Sequence, residues 1–176
     1  FTSGATAMGL RKYCPQVEAA TRWRELLDKG QFIAAGDKRI MERCMIADSC
    51  LFDVFPQTII VGDAKKALSQ PFYCVVSRDL AERLGGVEEA MGMRITPRDF
   101  PSVSLTIGAV YENFPLSSDL RNEHLFCSMA TWNKVSTWDS PNNWVGNECY
   151  HGYVRLREGS KPDDIKIGVK KMIEEN

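Results

Sequence analysis

The chain has 176 residues with 44% hydrophobic and 26% charged side chains, the size of one ordinary folded domain or two small lobes. Its 22 basic residues balance 23 acidic ones for a formal net charge of -1, with no long block of like charge, so neither nucleic-acid binding nor polybasic attachment to a membrane surface has electrostatic support. Collagen-like, coiled-coil and disordered classes are excluded by the composition.

The first helix is predicted from Thr2 or Ser3 to Cys14, where Leu10, Tyr13, Cys14 and Val17 recur at helical spacing and Pro15 ends the run. A strand over 17–24 follows. Residues 31–35 and 38–46 read as a hairpin around Gly36-Asp37, because Gly at the first central position suits a type II′ turn. Residues 48–55 suit a short helical turn, capped by Asp48 or Ser49, pinned into a core by Phe52 and Phe55 and stopped by Pro56.

Past the Gly62-Asp63 turn, residues 72–76 form a β-rich apolar run, and Ser77 then caps a helix that turns Leu80, Ala81 and Leu84 inward and ends at Gly85-Gly86. Val103, Leu105, Ile107 and Ala109 alternate with small polar residues, the period of a half-buried strand and the clearest one in the chain. Residues 132–147 read as a loop rich in Trp, Ser, Asn and Pro, and 148–157 as another strand. Ser160 caps the last predicted helix, Asp163 complements its positive end, and Ile165, Val169, Met172 and Ile173 form its apolar face. The class is α+β, with antiparallel sheet and a few short helices.

The most apolar stretches, 57–62 and 102–111, fall far short of the roughly 20 residues that span a bilayer. No basic, apolar and small-residue order marks a signal peptide. The start at Phe1 without Met and a last residue inside a helical pattern read as a domain cut from a longer chain.

Six cysteines, Cys14, Cys44, Cys50, Cys74, Cys127 and Cys149, include no C-x-x-C, so the signature of a thioredoxin-type or zinc-ribbon site is absent. The even number fits disulfides in an oxidising compartment; the alternative is small buried thiols. His124-x-x-Cys127 and Cys149-x-His151 are two pairs of soft ligands with the makings of a tetrahedral Cys2His2 zinc site. Against that stands an exposed histidine pair with buried thiols. A Cys/His nucleophile needs thiolate and imidazole in hydrogen-bond reach, which the sequence alone does not establish. Asp63, Asp79, Glu88, Glu89, Asp163 and Asp164 sit where caps, turns and solvated faces place carboxylates, and no phosphate-binding glycine loop occurs. Trp132, Trp138 and Trp144, on one polar loop, are a candidate surface for a partner or substrate, weighed against packing over the sheet.

An ordered set of segments carries a family resemblance: ADSCLFDVF at 47–55, Gly62-Asp63, ALSQP at 67–71, VVSRDLAERL at 75–84, AMG at 90–92, LTIGAV at 105–110 and FPLSSDL at 114–120. Across about Pro15 to Glu158 this order resembles the extracytoplasmic domain of bacterial ABC transporter permeases of the MacB/FtsX-like superfamily, in the form common in Bacteroides. Two departures alter packing or a turn: Gly85 stands where the family usually has Phe, and Ala90 to Met93 replace a Pro-Ile-Gly-Lys type of turn. The shared segments are anchors and turns. The Phe-rich turn is an anchor worth about 1.5–3 kcal/mol per fully buried Phe, Gly62-Asp63, Gly92 and Ser117-Ser118 are turn chemistry, and Gly108 leaves room for a neighbouring backbone or a bulge.

The resemblance implies a two-lobed MacB-like periplasmic core domain, inserted between the first two transmembrane helices of a permease. One lobe, membrane-proximal and porter-like, comes from both chain ends, 1–46 plus 148–176; the inserted lobe is 47–147. It implies no catalytic residue, no cofactor in this domain and no metal, with ATP used by a cytoplasmic ATPase subunit. The implied partners are the permease's own transmembrane helices, that ATPase, a second permease half or protomer, and a periplasmic cargo or adaptor, at the periplasmic face of the bacterial inner membrane. The work done would be export or efflux, lipoprotein or lipid extraction, or control of an envelope partner. The rival readings are a secreted zinc or thiol enzyme built on His124, Cys127, Cys149 and His151, and a periplasmic sensor or binding domain using the tryptophan loop.

Overall fold

The computed structural model describes residues 1–26, 31–136, 141–146 and 148–176. Helix α1 (Thr6–Tyr13) leads to strand β1 (Val17–Glu25), the hairpin β2 (Gln31–Ala35) and β3 (Lys38–Glu42), and the short β4 (Met45–Ala47). Helical turn α2 (Leu51–Val54) and strand β5 (Ile59–Gly62) precede α3 (Ala64–Ser69), β6 (Tyr73–Ser77), α4 (Arg78–Leu84) and α5 (Val87–Ala90). Then come β7 (Arg94–Pro97), β8 (Leu105–Tyr111), β9 (Leu125–Ser128), α6 (Met129–Val135), β10 (His151–Leu156), a 3-10 turn (Pro162–Ile165) and α7 (Lys166–Glu175). No helix among the described residues is long and apolar enough to cross a membrane.

The chain divides into two compact units, one of residues 1–24, 50–56 and 136–176, the other of residues 25–49 and 57–135. The boundaries differ from 1–46 plus 148–176 and 47–147. Residues 31–42 cluster with the second unit because β2 bonds to β7 through Ile33–Pro97 and Ala34–Thr96. Residues 50–56 cluster with the first, where Phe55 meets Tyr153 edge-on at 4.9 Å.

In the first unit β1 and β10 pair antiparallel, with Ala20 opposite Val154 and Trp23 opposite His151. Cys14, Val17 and Ala20 form its buried centre, covered by Leu10, Tyr13, Val154, Leu156, Ile165 and Val169. Small residues set the approach of α7: a Cβ on Gly168 would lie 2.5 Å from the Tyr13 carbonyl oxygen. The apolar face of α7 is narrower than expected, since Met172 is buried while Ile173 is exposed. Ser160 is not its cap. Ile165 stands there, and Lys161 takes the cap position of the preceding 3-10 turn, its N–H donating to Asp164 at 2.7 Å.

In the second unit the strand order is β4-β9-β6-β8-β7-β2-β3, with β5 also on β8. The sheet is mixed, because β4 pairs β9 and β6 pairs β8 in parallel. A parallel pair needs a long crossover, and α4, α5 and β7 fill the one between β6 and β8. Strand β8 thereby becomes central, and Leu105, Ile107, Ala109, Val110 and Tyr111 are all buried.

The sequence signals for local chemistry mostly hold. Gly36 has a φ of +57° while Asp37 stays negative, the signs of a type II′ turn. Ser77 accepts from the Leu80 N–H at 3.2 Å and so caps α4. Asp63, read as a turn residue, in fact caps α3 by accepting from the Lys66 N–H at 2.9 Å. The α2 turn has Cys50, not Asp48 or Ser49, at its N-cap position, and the Cys50 side chain makes no cap bond. Only Leu51 of that turn is fully buried, and Phe52 and Phe55 are half-buried.

Candidate functional sites

Of the three tryptophans expected on one polar loop, Trp132 and Trp144 belong to different units. Trp132 lies on α6 instead of a loop, because the Ser128 hydroxyl accepts from the Thr131 N–H at 3.2 Å and starts a helical turn there. Its ring is buried and meets Phe100 edge-on at 6.4 Å, which closes it to ligands. Beside it is a narrow cavity of about 10 Å³ walled mainly by apolar side chains, among them Leu26, Ile46, Val103 and Leu105. Trp144 belongs to the other unit and is half-buried, its ring lying over Gly9 beside Met172. Trp138 lies outside the described residues.

The four soft ligands are likewise divided between the units. His124 and Cys127 belong to the second unit, Cys149 and His151 to the first. His124 Nδ1 lies 2.8 Å from the Ser77 hydroxyl. That hydroxyl also accepts from the Leu80 N–H, so one side chain joins the cap of α4 to the imidazole. His151 stacks on Trp23 with 4.0 Å between ring centres and meets Phe1 edge-on. Among the described residues no group of three or more His, Cys, Asp and Glu is placed to hold a metal ion.

All six cysteines are free thiols. Cys74 and Cys127 are directly opposite each other on β6 and β9, and Cys44 lies close enough to feel both. Burial pushes the Cys127 thiol up to about 12 and raises Cys44 and Cys74 well above the ordinary thiol range. A thiol kept neutral is a poor nucleophile, so the three act as small apolar side chains.

The sequence reading missed two polar networks. In the first unit Arg22 is buried in β1 and donates to the carbonyls of Gly4 and Pro141 and, at 3.3 Å, to Asn142 Oδ1. A buried guanidinium with its fixed fork of donors can tie two distant segments to one strand, and the run of buried residues around Arg22 in β1 gives no local sequence signal for it. In the second unit Arg43 bridges Glu25 and Glu123, and Arg83 pairs with Glu42. Burial raises the Glu123 carboxyl, with Arg43 opposing and Glu42 reinforcing the shift. One Glu123 oxygen has no hydrogen-bond partner. Next to this network Glu42, Asp79, Glu82, Arg83 and His124 line an open depression. There Asp79 accepts from the Asn113 amide at 2.6 Å, and Ser77 is wholly buried.

No protein-family model matches the chain, and no curated protein matches it. Solved structures do. The fold is that of a MacB-like periplasmic domain: the periplasmic region of MacB from Actinobacillus actinomycetemcomitans aligns over 99% of this chain and 74% of its own with a TM-score of 0.72 at 11% identity. The extracellular domain of the noncanonic ABC-type transporter YknZ from Gram-positive bacteria aligns over 96% and 82% with a TM-score of 0.64, also at 11% identity. A domain of a candidate permease protein from Porphyromonas gingivalis is similar in sequence as well, 29% identical over 99% of this chain and 77% of its own, with a TM-score of 0.84.

Proposed function

We propose that this chain is the periplasmic domain of an ABC transporter permease, tethered at the periplasmic face of the bacterial inner membrane by that permease's own transmembrane helices. The observation that carries the reading is the likeness in both fold and sequence to the Porphyromonas gingivalis domain. ATP is hydrolysed by a cytoplasmic ATPase subunit, and the domain itself catalyses no reaction and holds no cofactor. Two permease halves or protomers assemble, and nucleotide-driven movement of their helices shifts the periplasmic domains. That movement drives efflux, extracts a lipoprotein or lipid, or controls an envelope partner or adaptor. Such a mechanism requires two global states with different contacts.

The test begins with the DNA that flanks the segment. Apolar spans of about 20 residues on both sides are the expected result, and a signal peptide directly before Phe1 with a stop soon after Asn176 would sink the proposal. With the full permease and its ATPase reconstituted, a cysteine pair placed on the domains of two protomers should change its cross-linking yield on trapping the ATP-bound state. An unchanged yield at several such pairs would argue against mechanical coupling.

A further inference from the structure

Strands β3, β2 and β7 of the second unit lie side by side, with Arg39 opposite Ala34 and Ala34 opposite Thr96. Directly opposed residues of antiparallel strands point to the same face, so these three form one row across the sheet. Ile33 and Ile95, the neighbours that point the other way, are fully buried and anchor the sheet to its core. On the outer face the small Ala34 leaves a hollow. Arg39 walls it on one side, Arg98 on the other, and Thr96, Pro97 and Pro101 complete a pocket of about 450 Å³. That volume lies in the usual range for small-molecule sites.

The charge of this pocket is one-sided. Arg39 and Arg98 are exposed, and among the described residues no carboxylate lines the cavity. Other arginines of this unit are engaged: Arg43 with Glu25, Arg78 with Glu112, Arg83 with Glu42. Among the described residues Arg39 and Arg98 have no such acidic partner. Arg94, on the same strand face two residues before Thr96, adds a further positive charge close by.

We infer that this pocket binds the phosphate group of a phosphate ester, with the ester's apolar part on Ala34, Pro97 and Pro101. Two guanidinium forks offer about ten N–H donors between them, more than a monocarboxylate can use. A phosphate monoester carries about -1.5 to -2 charge and presents oxygens to both. The Thr96 hydroxyl supplies a neutral donor between them. The source is either a soluble ester or a lipid head group, since both offer the same chemistry. The inference stands on this unit's own residues and not on the transporter reading.

The test titrates the 176-residue protein with n-butyl phosphate and with sodium acetate at low ionic strength, because an exposed site is screened by salt. Saturable binding of butyl phosphate, with acetate much weaker, is the expected result. Arg39→Ala and Arg98→Ala should each weaken it about tenfold or more. Ala34→Trp should do the same by filling the hollow with both arginines kept. Arg155→Ala, which removes a charge in the other unit, should leave it unchanged. Co-sedimentation with phosphatidylglycerol vesicles that is lost in Arg39→Ala and Arg98→Ala identifies a lipid head group, and butyl phosphate binding without vesicle binding identifies a soluble ester. Binding that survives both arginine substitutions, acetate binding as tight as butyl phosphate, or vesicle binding without butyl phosphate binding would overturn the proposal.

Discussion

Three glycines of the second unit allow the cost of backbone conformation to be separated from the cost of space. Gly36 has a φ of +57° with nothing within 4 Å of a built Cβ, so Gly36→Ala pays for conformation alone. Gly108 has no such φ, but a Cβ there would lie 2.7 Å from the Ala67 Cβ and 3.1 Å from the Tyr73 ring, so Gly108→Ala pays for space alone. Gly62 has both: a φ of +83°, and a Cβ that would run into the Gly108 carbonyl and come within 2.8 Å of the Ala109 Cα. The left-handed conformation costs about 1–2 kcal/mol for a residue with a Cβ, and overpacking costs about 1–3 kcal/mol. Gly62→Ala should therefore lose about 2–5 kcal/mol, near the sum of the other two. For a chain of this size 1 kcal/mol moves Tm by about 2–4 °C, so the three variants should be resolved by thermal melts and urea titration. A Gly62→Ala protein no less stable than Gly36→Ala would refute the packing of β5 against β8.

Alkylation of the native protein at pH 8 should label the half-buried Cys50 and Cys149 and spare Cys44, Cys74 and Cys127 until the chain unfolds, as read by mass spectrometry; early labelling of Cys127 would contradict its burial. Glu123 carries a carboxyl raised by burial, so its contribution to stability is full below the unfolded value of about 4.3 and is lost as pH rises through the folded value. Glu123→Gln should flatten the fall in urea midpoint across that window, and an unaltered pH profile would mean the carboxyl is solvated. Removing a helix cap costs about 1 kcal/mol, so Asp63→Ala should lose about that much. Ser77→Ala should lose more, because it also strips the partner from His124 Nδ1, and equal losses in urea melts would argue against the Ser77–His124 bond.

The elements that could be read from the sequence are those with their own local signature. The Gly36-Asp37 turn, the Ser77 cap and the alternation along β8 each require only neighbouring residues to be recognised. Strands β5, β7 and β9 are four residues each, too short for a period to appear, and they exist because a neighbouring strand supplies hydrogen bonds. The same holds for the parallel pairings: nothing in residues 45–47 announces that they will lie beside residues 126–128. Phe72 is a further case. A left-handed φ of +63° is rare for so bulky a residue, and it is held by contacts distant in sequence, its N–H donating to the Thr131 hydroxyl at 2.7 Å and its carbonyl accepting from the Thr106 N–H at 2.9 Å.

The candidate sites were harder to read for a related reason. Tryptophans at 132, 138 and 144 and the pairs at 124–127 and 149–151 cluster along the chain, but the division near residue 136 assigns their described members to different units. Clustering along the chain does not reveal which unit a residue will join. The pocket between Arg39 and Arg98 has the opposite character: residues 40–97 lie between its two cations, and cross-strand register on β2 brings β3 and β7 to either side of Ala34. Neither arginine carries a motif, and an alanine between them has no chemistry to notice. What gives Ala34 a role is its absence of bulk at the middle of a row, so Ala34→Trp is the more discriminating substitution. Loss of an arginine weakens any anion's attraction to this face, whereas filling the hollow weakens only a ligand that enters it.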